Sequence, residues 1–481
     1  MKPSCLSPCI PEPVVAGLSA PESPHPAKSL LDIFHAALTR VNGQNVVQTT
    51  LPSLIGTEEP VKLVAIGKAA MAMTRGALNV LGEQIRAGLV ITKSGHGGLF
   101  DANLPIRVWE SAHPVPDASS LEAGALLLDF LHARPDCIGN KKFLFLISGG
   151  ASSLVECLPE QVTLADLQRV NAWLLGSGLE IHHMNRIRKC LSRIKGGRLM
   201  THLGGVPATA LLLSDVPGDH PGTIGSGLLV SEEAQALPET LPGWLHVLLA
   251  QTPPWPRPED TLSPHVDLHV VGRNTDALRA AGERAAALGF PVRKADGTLA
   301  GDAVEQGRLL ADELLRGEPG IYLWGGETTV TLPPSPGKGG RNQSLALAAA
   351  REIQGRDDLF ILAAGTDGSD GPGSWAGALV DGKTIARGRR AGLDPEISLL
   401  QADAQTFLTA SKDLLQTGPT GTNVMDMVIG LRQPSRIKRL DTGRAAWTRM
   451  GNCSAPLQGK LGHESLCQGF APNPARALPW T

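Results

Sequence analysis

Short runs that are apolar at almost every position alternate along the chain with longer stretches in which apolar residues recur at helical spacing. The short runs are Lys62–Ile66, Gly88–Thr92, Phe143–Ile147, Ala208–Leu213, Leu268–Val271, Ile321–Trp324 and Leu359–Ala363. Several are apolar throughout, as strands covered on both faces should be. The longer stretches predict helices over Lys28–Val41, Ala69–Leu81, Ser120–Ala133, Leu164–Leu175, Arg186–Met200, Thr275–Leu288, Val304–Arg316, Gln343–Ile353 and Ala404–Leu415. Strand, turn and helix in succession imply an α/β protein of parallel sheets with crossover helices.

Proline punctuates this pattern once. Pro238, Pro242, Pro253, Pro254, Pro256, Pro258 and Pro264 cluster where neither period is visible. Proline serves neither a sheet interior nor a helix middle. Residues 239–266 therefore read as a linker between an N-terminal domain, 28–238, and a C-terminal domain, 267–431. Residues 1–27 read as a disordered tail and 432–481 as an atypical, poorly packed one. No internal repeat is visible.

Composition narrows the function classes. The 481 residues carry 44 Lys and Arg against 46 Asp and Glu, a formal charge of −2. That balance argues against a nucleic-acid coat or a polybasic membrane binder. Aromatics are 4 %, with Tyr322 the single tyrosine, so a base-stacking platform is not expected. The seven cysteines include no CxxC pair, which fits a reducing compartment better than a disulfide framework or a zinc cluster. No apolar run approaches the roughly 18 residues of a membrane-spanning helix. The proline-rich start lacks a signal-peptide core. A cytoplasmic protein is expected.

The candidate chemistry sits where the strands end. In open parallel sheets, ligands collect there, beside helix N-termini. Gly67-Lys68-Ala69-Ala70 puts a cation at a helix mouth, where it opposes the helix dipole and has no evident structural benefit. Ser148-Gly149-Gly150-Ala151-Ser152-Ser153 leaves the backbone open to an anion. It is not a P-loop, and no GxGxxG opens a helix after a strand. Asp215 and Asp219 flank a Gly-rich turn and suit Mg²⁺ or base work, with Asp219 the better candidate for a simple turn cap. Glu327 follows Gly325-Gly326, and Arg341 follows Gly337-Lys338-Gly339-Gly340, a setting for clamping a carboxylate or phosphate. Asp367 and Asp370 lie in a Gly-rich acidic turn, and residues 417–424 form a hydroxyl-rich one. Arg186, Arg188, Lys189, Arg193, Lys195 and Arg198 read mainly as a solvated helix face, with Lys195-Gly196-Gly197 a second anion loop. Cations for anions, acids for Mg²⁺ and glycine-rich anion loops from both halves together match phosphoryl transfer.

The segments GKAA, HPVPD, LISGGASSL, NRIRKCLSRIKGGRL, SDVPGD, GGETTV, GKGGRNQ, GTDGSDGP and TGPTGTNV occur in that order. Over residues 30–430 this series resembles the class II glycerate 2-kinases, the MOFRL family, called hydroxypyruvate reductases in older naming. The resemblance implies a Rossmann-like N-terminal domain, a smaller MOFRL-type α/β domain and an active site in the cleft between them. It also implies ATP and Mg²⁺, with D-glycerate converted to 2-phosphoglycerate. Under it, Lys68 and Arg341 are catalytic. Asp215, Asp219, Glu327 and Asp367 coincide with the acids of the family motifs. The roles expected are these: Arg341 clamps the glycerate carboxylate and Lys68 neutralises the transferring phosphoryl group. Ser148, Gly149, Gly150, Ser152, Ser153, Lys195 and Gly196 cradle the nucleotide, with Glu327 and Asp367 nearby. Asp215 or Asp219, with Glu327, holds Mg²⁺. Asp215, Asp219 and Asp367 remain open as the base.

The chain departs from the family pattern at Ile224-Gly225-Ser226-Gly227-Leu228, at Ser344, at Ala402-Asp403-Ala404 and in about 50 residues beyond the TGTNV motif. A hydroxypyruvate reductase and a non-catalytic sensor of sugar acids or nucleotides are the competing readings. A homodimer is left open.

Overall fold

The computed structural model describes residues 14–15 and 25–434, apart from 57–58, 99, 102, 134–141, 178, 180, 232–236, 238–240, 253–264 and 295–297. Most of the two expected tails and the second half of the expected linker lie outside the described residues. The strands are β1 (Val14–Val15), β2 (Val61–Ile66), β3 (Ile85–Lys93), β4 (Ile106–Ser111), β5 (Lys142–Ile147), β6 (Ala208–Leu213), β7 (Val266–Gly272), β8 (Val292–Lys294), β9 (Gly320–Gly326), β10 (Leu359–Gly365), β11 (Gly377–Asp381), β12 (Leu414–Gln416) and β13 (Asp426–Arg432). The helices are α1 (Pro26–Val41), α2 (Gly43–Thr50), α3 (Ala70–Leu81), α4 (Ala118–His132), α5 (Ala151–Leu154), α6 (Leu164–Gly176), α7 (Ile181–Cys190), α8 (Gly243–Ala250), α9 (Asn274–Ala287), α10 (Ala303–Arg316), α11 (Arg341–Glu352), α12 (Thr384–Arg390), α13 (Pro395–Leu400) and α14 (Ala404–Ser411).

The first sheet runs β4-β3-β2-β5-β6-β7 and every pairing in it is parallel. β2 and β6 are buried along their whole length; Lys62 in β2 is accommodated by donating to the carbonyls of Phe130 and Ala133. The chain builds outward from β2 in one direction and then restarts at β5 in the other. This strand order is the Rossmann one, and its reversal opens a crevice between β2 and β5.

The second sheet corrects the sequence expectation. It runs β1-β12-β11-β10-β13-β9-β8 and is antiparallel at every pair except β8 with β9. Apolar runs report burial on both faces and carry no direction. Here a helix layer covers a largely antiparallel sheet, so the same signal arises. The order also brings β13 back between β9 and β10, aligning Asp426 with Gly326 and with Gly365. One sheet edge thereby gathers the residues that follow β9 and β10 and those that open β13.

The expected boundaries shift for the same reason. β7 lies partly within and just beyond the expected linker yet completes the first sheet. α8 occupies the linker's first half and packs Leu245 and Leu248 on Val170, Leu174, Ile187 and Leu191. Trp244 meets Trp173 edge-on at 6.4 Å and lies under the Arg169 guanidinium at 4.0 Å. Val14–Val15, in the expected disordered tail, pairs with Leu415 and Gln416. α1 precedes the first sheet but packs on α9 and the second sheet. Its buried face, Leu30, Ile33, Phe34, Ala37 and Leu38, shares one core with residues of both sheets.

Two helices end early. The helix expected over 186–200 stops at Cys190, and Lys189, Lys195 and Arg198 beyond its middle are buried instead of solvated. The helix expected over 404–415 stops at Ser411, because Lys412 takes φ 63° and the chain turns into β12. Among the described residues, no helix is long and apolar enough to cross a membrane.

Phe34 is fully buried where α1 meets both halves. Phe34→Ala is expected to cost about 3–5 kcal/mol in urea denaturation, the range for an aromatic side chain removed from a core.

Candidate active site

The turns after β2 and β5 meet in the crevice and are stitched together by hydrogen bonds. The amide of Ser148 donates to the Ile66 carbonyl, the amide of Lys68 to the Gly149 carbonyl, and the amide of Ala69 to the Ser148 hydroxyl. Ser148 is fully buried. It positions the mouth of α3 and is not available to a ligand, against expectation. Two glycines make the next turn. A Cβ on Gly149 would lie 2.0 Å from both Asp215 Oδ2 and Asn423 Nδ2, so only glycine lets these groups approach. Gly150 takes φ 84° with His113 Nε2 and Lys68 Cγ close above it. The amides of Gly149, Gly150 and Ser152 find no acceptor among the described residues.

Beside this turn lies a cavity of about 380 Å³. Its lining includes His113, Pro114, Val115, Ser152, Arg188 and Lys195. Ser152 Oγ is 2.7 Å from Ser226 Oγ. Lys195 Nζ is bonded to the fully buried Glu156 at 2.5 Å, and Ser192 donates to the same carboxylate. Lys195 is thus an ion-paired wall residue. The expectation for Gly196 fails: its amide donates to the Ser226 carbonyl, and that of Gly197 to the Gly227 carbonyl. Neither is free to cradle a phosphate.

The second sheet supplies the facing wall. Lys68 Nζ bonds Asp367 Oδ2 at 2.6 Å, joining the turn after β2 to the turn after β10. Burial works against the Asp367 charge, but Lys68 and the amide and hydroxyl of Ser369 hold its carboxyl below the ordinary range. Arg341 opens α11 and forks onto Asp426, with Nε at 2.5 Å and Nη2 at 3.0 Å. Nη2 also reaches Glu327 at 2.8 Å. Its Nη1 has no partner among the described residues. Burial raises the carboxyl of Glu327, with Arg341 opposing and the charges of Asp426 and Asp215 adding to the rise. Burial pushes the Asp215 carboxyl up to about 6, against the pull of Lys68. Its Oδ2 accepts from Asn423 at 3.1 Å.

Residues 29–239 match a domain of unknown function (DUF4147), and residues 320–426 match the MOFRL family. The chain is 37 % identical over 424 residues to a D-glycerate 2-kinase of Thermotoga maritima, covering 84 % of this chain and 98 % of that one. The chain belongs to the MOFRL-type glycerate kinase family. A glycerate 2-kinase of Pyrococcus horikoshii is 35 % identical, over 77 % of this chain and 87 % of its own. The crystal structure of a Thermotoga maritima glycerate kinase superposes with a TM-score of 0.71 at 34 % identity, covering 84 % of this chain and 99 % of that one.

In this glycerate kinase fold, Lys68, Gly149, Gly150, Asp215 and Asp367 come together, with Ser152 and Ser153 on the adjoining cavity wall and Arg341 and Glu327 at the facing sheet edge. Asp219 does not join them: it takes φ 53° and pairs with Arg273 at 3.6 Å. Asp215, Asp219 and Glu327 are no ready-made cage, since among the described residues no group of three His, Cys, Asp or Glu side chains could hold a metal ion. Several neighbours escaped the sequence reading. Asp426 carries no motif chemistry of its own and emerges only from the register of β13, whereas Asn423 stood in the TGPTGTNV turn with no role assigned. Lys93 ends β3 and His96 follows it, where the rule of inspecting strand ends could have found them. His113 stood in the HPVPD segment. Burial, with Lys68 and Lys93 nearby, pushes its imidazole down to about 4, so it is neutral at pH 7.

Asp215 gives a pH test. Its carboxyl is ordinary, near 3.8, when unfolded and about 6 when folded. Folding therefore takes up a proton between these values, and stability falls as pH rises through that window. Without metal, Asp215→Asn is expected to melt higher than the parent at pH 8, with the gain vanishing near pH 3.5. Melting curves at the two pH values check this.

Proposed function

We propose that the protein is a D-glycerate 2-kinase that transfers the γ-phosphoryl group of ATP to the 2-hydroxyl of D-glycerate. The observation that carries this reading is the Lys68–Asp367 pair, which sets a cation and an anion side by side in the crevice where the two sheets meet. Phosphoryl transfer needs that combination, a positive group for the migrating charge and a carboxylate for the attacking hydroxyl. Family membership supports the same chemistry.

The roles follow from what each side chain has left to offer. The amides of Gly149, Gly150 and Ser152, left without acceptors among the described residues, bind phosphate oxygens. Lys68, its stem against Gly150, places its ammonium beside that turn and neutralises the transferring group. Asp367 stays ionised at neutral pH and is fixed by Ser369 through its other oxygen. It accepts from the 2-hydroxyl and orients it. Arg341 is already engaged by Asp426 and Glu327, so the glycerate carboxylate is held through Nη1. Asp426 fixes the plane of that guanidinium, a two-pronged bond that Lys could not reproduce.

Mg²⁺ fits the pair Asp215 and Glu327. The Asp215 charge raises the Glu327 carboxyl, so the two repel, and one or two carboxylates plus phosphate oxygens are the usual Mg²⁺ set. When bound there, the ion neutralises charge on the phosphates. Asp219, paired with Arg273, is left out of this set.

Purified protein with ATP, Mg²⁺ and D-glycerate is expected to release ADP and form 2-phosphoglycerate, resolved from the 3-isomer by phosphorus NMR. Formation of 3-phosphoglycerate would reverse the hydroxyl orientation. NADH oxidation with hydroxypyruvate, in place of ADP release, would return the reading to a reductase. Lys68→Ala is expected to lower kcat by about 10²–10³-fold while the far-ultraviolet spectrum is unchanged, since one electrostatic group at the transferring charge is worth about that much.

A further inference from the structure

The cavity beside the Gly149–Ser153 turn contains a cation that the roles above do not use. Arg188 lies half-buried in its wall and is anchored through neutral partners. Its Nε donates to Asn171 Oδ1 at 2.9 Å and its Nη1 to Asn185 Oδ1 at 3.2 Å. Among the described residues it has no carboxylate partner, and Nη2 has no acceptor. Burial lowers its pKa from the ordinary value, as it does for a guanidinium held without an opposing charge. The remaining charges of the wall, Lys195 and Glu156, cancel each other.

A guanidinium oriented by two side-chain amides, partly withdrawn from water and left uncompensated, is a preorganised anion site. The rest of the wall says which anion. About 380 Å³ exceeds what a three-carbon acid fills. Part of the lining is apolar, with Pro114, Pro116, Leu167 and Val115, the last 57 % exposed. Gly150, Ser152 and Ser153 share the lining with Arg188. Glycerate has no apolar part to match those residues. A nucleoside triphosphate has both parts, a flat base and a polyanionic chain.

We propose that this cavity is the nucleotide site and that Arg188 binds the polyphosphate chain, with Asn171 positioning its guanidinium. The assignment rests on the kinase reading and adds to it the residue that discriminates the donor. The Gly149–Ser153 turn then receives the end of the chain nearest Lys68, and Pro114–Pro116 covers the base.

The test is binding, measured without glycerate, to the full-length protein. Titration calorimetry with β,γ-imido-ATP, tripolyphosphate and adenosine separates the two ends of the ligand. Arg188→Gln is expected to weaken imido-ATP and tripolyphosphate by about tenfold or more, the scale of a charge-assisted hydrogen bond, and adenosine by less than twofold. Arg188→Lys should restore part of the loss. Asn171→Asp supplies the missing carboxylate without removing the arginine, and is expected to weaken tripolyphosphate as well. The KM for glycerate should move less than twofold in all three. Unchanged tripolyphosphate affinity in folded Arg188→Gln or Asn171→Asp would overturn the assignment. So would a raised KM for glycerate with the nucleotide unaffected. Arg188-dependent nucleotide binding with no 2-phosphoglycerate formed would leave the assignment standing and remove the acceptor instead. A parent protein that forms 2-phosphoglycerate, with nucleotide affinity indifferent to Arg188, would do the reverse.

Discussion

The active-site arrangement depends on one bond between two sheets of different construction. Lys68 comes from the reversal point of a parallel sheet, and Asp367 from the edge of a largely antiparallel one. Their side chains are 16 % and 8 % exposed, so neither charge is well hydrated. Attraction in such a site is strong only while both partners remain, because removing one leaves an uncompensated charge in a poorly solvated place. Neutral hydrogen bonds brace the same junction. Asn42 reaches the Thr420 carbonyl, Asn274 reaches those of Val424 and Asp426, and Asn423 reaches Asp215. Four of these residues, Thr420, Asn423, Val424 and Asp426, lie within residues 417–426, the segment that leads into β13. That segment is the hinge between sheet architecture and site chemistry.

The cleft is close to charge balance without substrate. Lys68 faces Asp367, Arg341 faces Asp426 and Glu327, and Lys195 faces Glu156. A site designed for polyanions and left strongly positive would repel itself; here the carboxylates hold the cations in place until a ligand competes for them. Arg188 and Lys93, which have no carboxylate in contact among the described residues, mark places where added negative charge is favourable. Asp215 and Glu327, two of the acids whose protonation burial eases, mark where added positive charge is favourable. The two requirements of a nucleotide with its metal are thus written in the electrostatics of the free protein.

Much of this was legible in the sequence, and the gaps have physical causes. Lys68, Asp215, Asp367, Glu327 and Arg341 each follow or precede a glycine-rich turn at a strand end, a local signature that needs no partner to be seen. The parallel first sheet follows from strand–helix alternation. The second sheet did not, because direction is set by which strands pair, and β13 pairs with strands far from it in the chain. Asp426 was invisible for that reason, and the role of Asn423 within the TGPTGTNV turn could not be read. Ser148 and Gly196 looked like ligand groups because loop composition shows which amides and hydroxyls exist, not which are already bonded. The cations between Arg186 and Arg198 looked solvated because their number suggested a surface; carbonyls and carboxylates of the fold bury three of them.

The central claim is that Lys68 and Asp367 act as one unit in phosphoryl transfer. The direct measurement is a double-mutant cycle in kcat with Lys68→Met and Asp367→Asn, read by single-turnover ATP cleavage with glycerate. Interdependence predicts that the double variant is no slower than the slower single one, since each substitution already disables the pair. Multiplicative losses, with the double variant slower by the product of both, would show two independent groups and contradict the account.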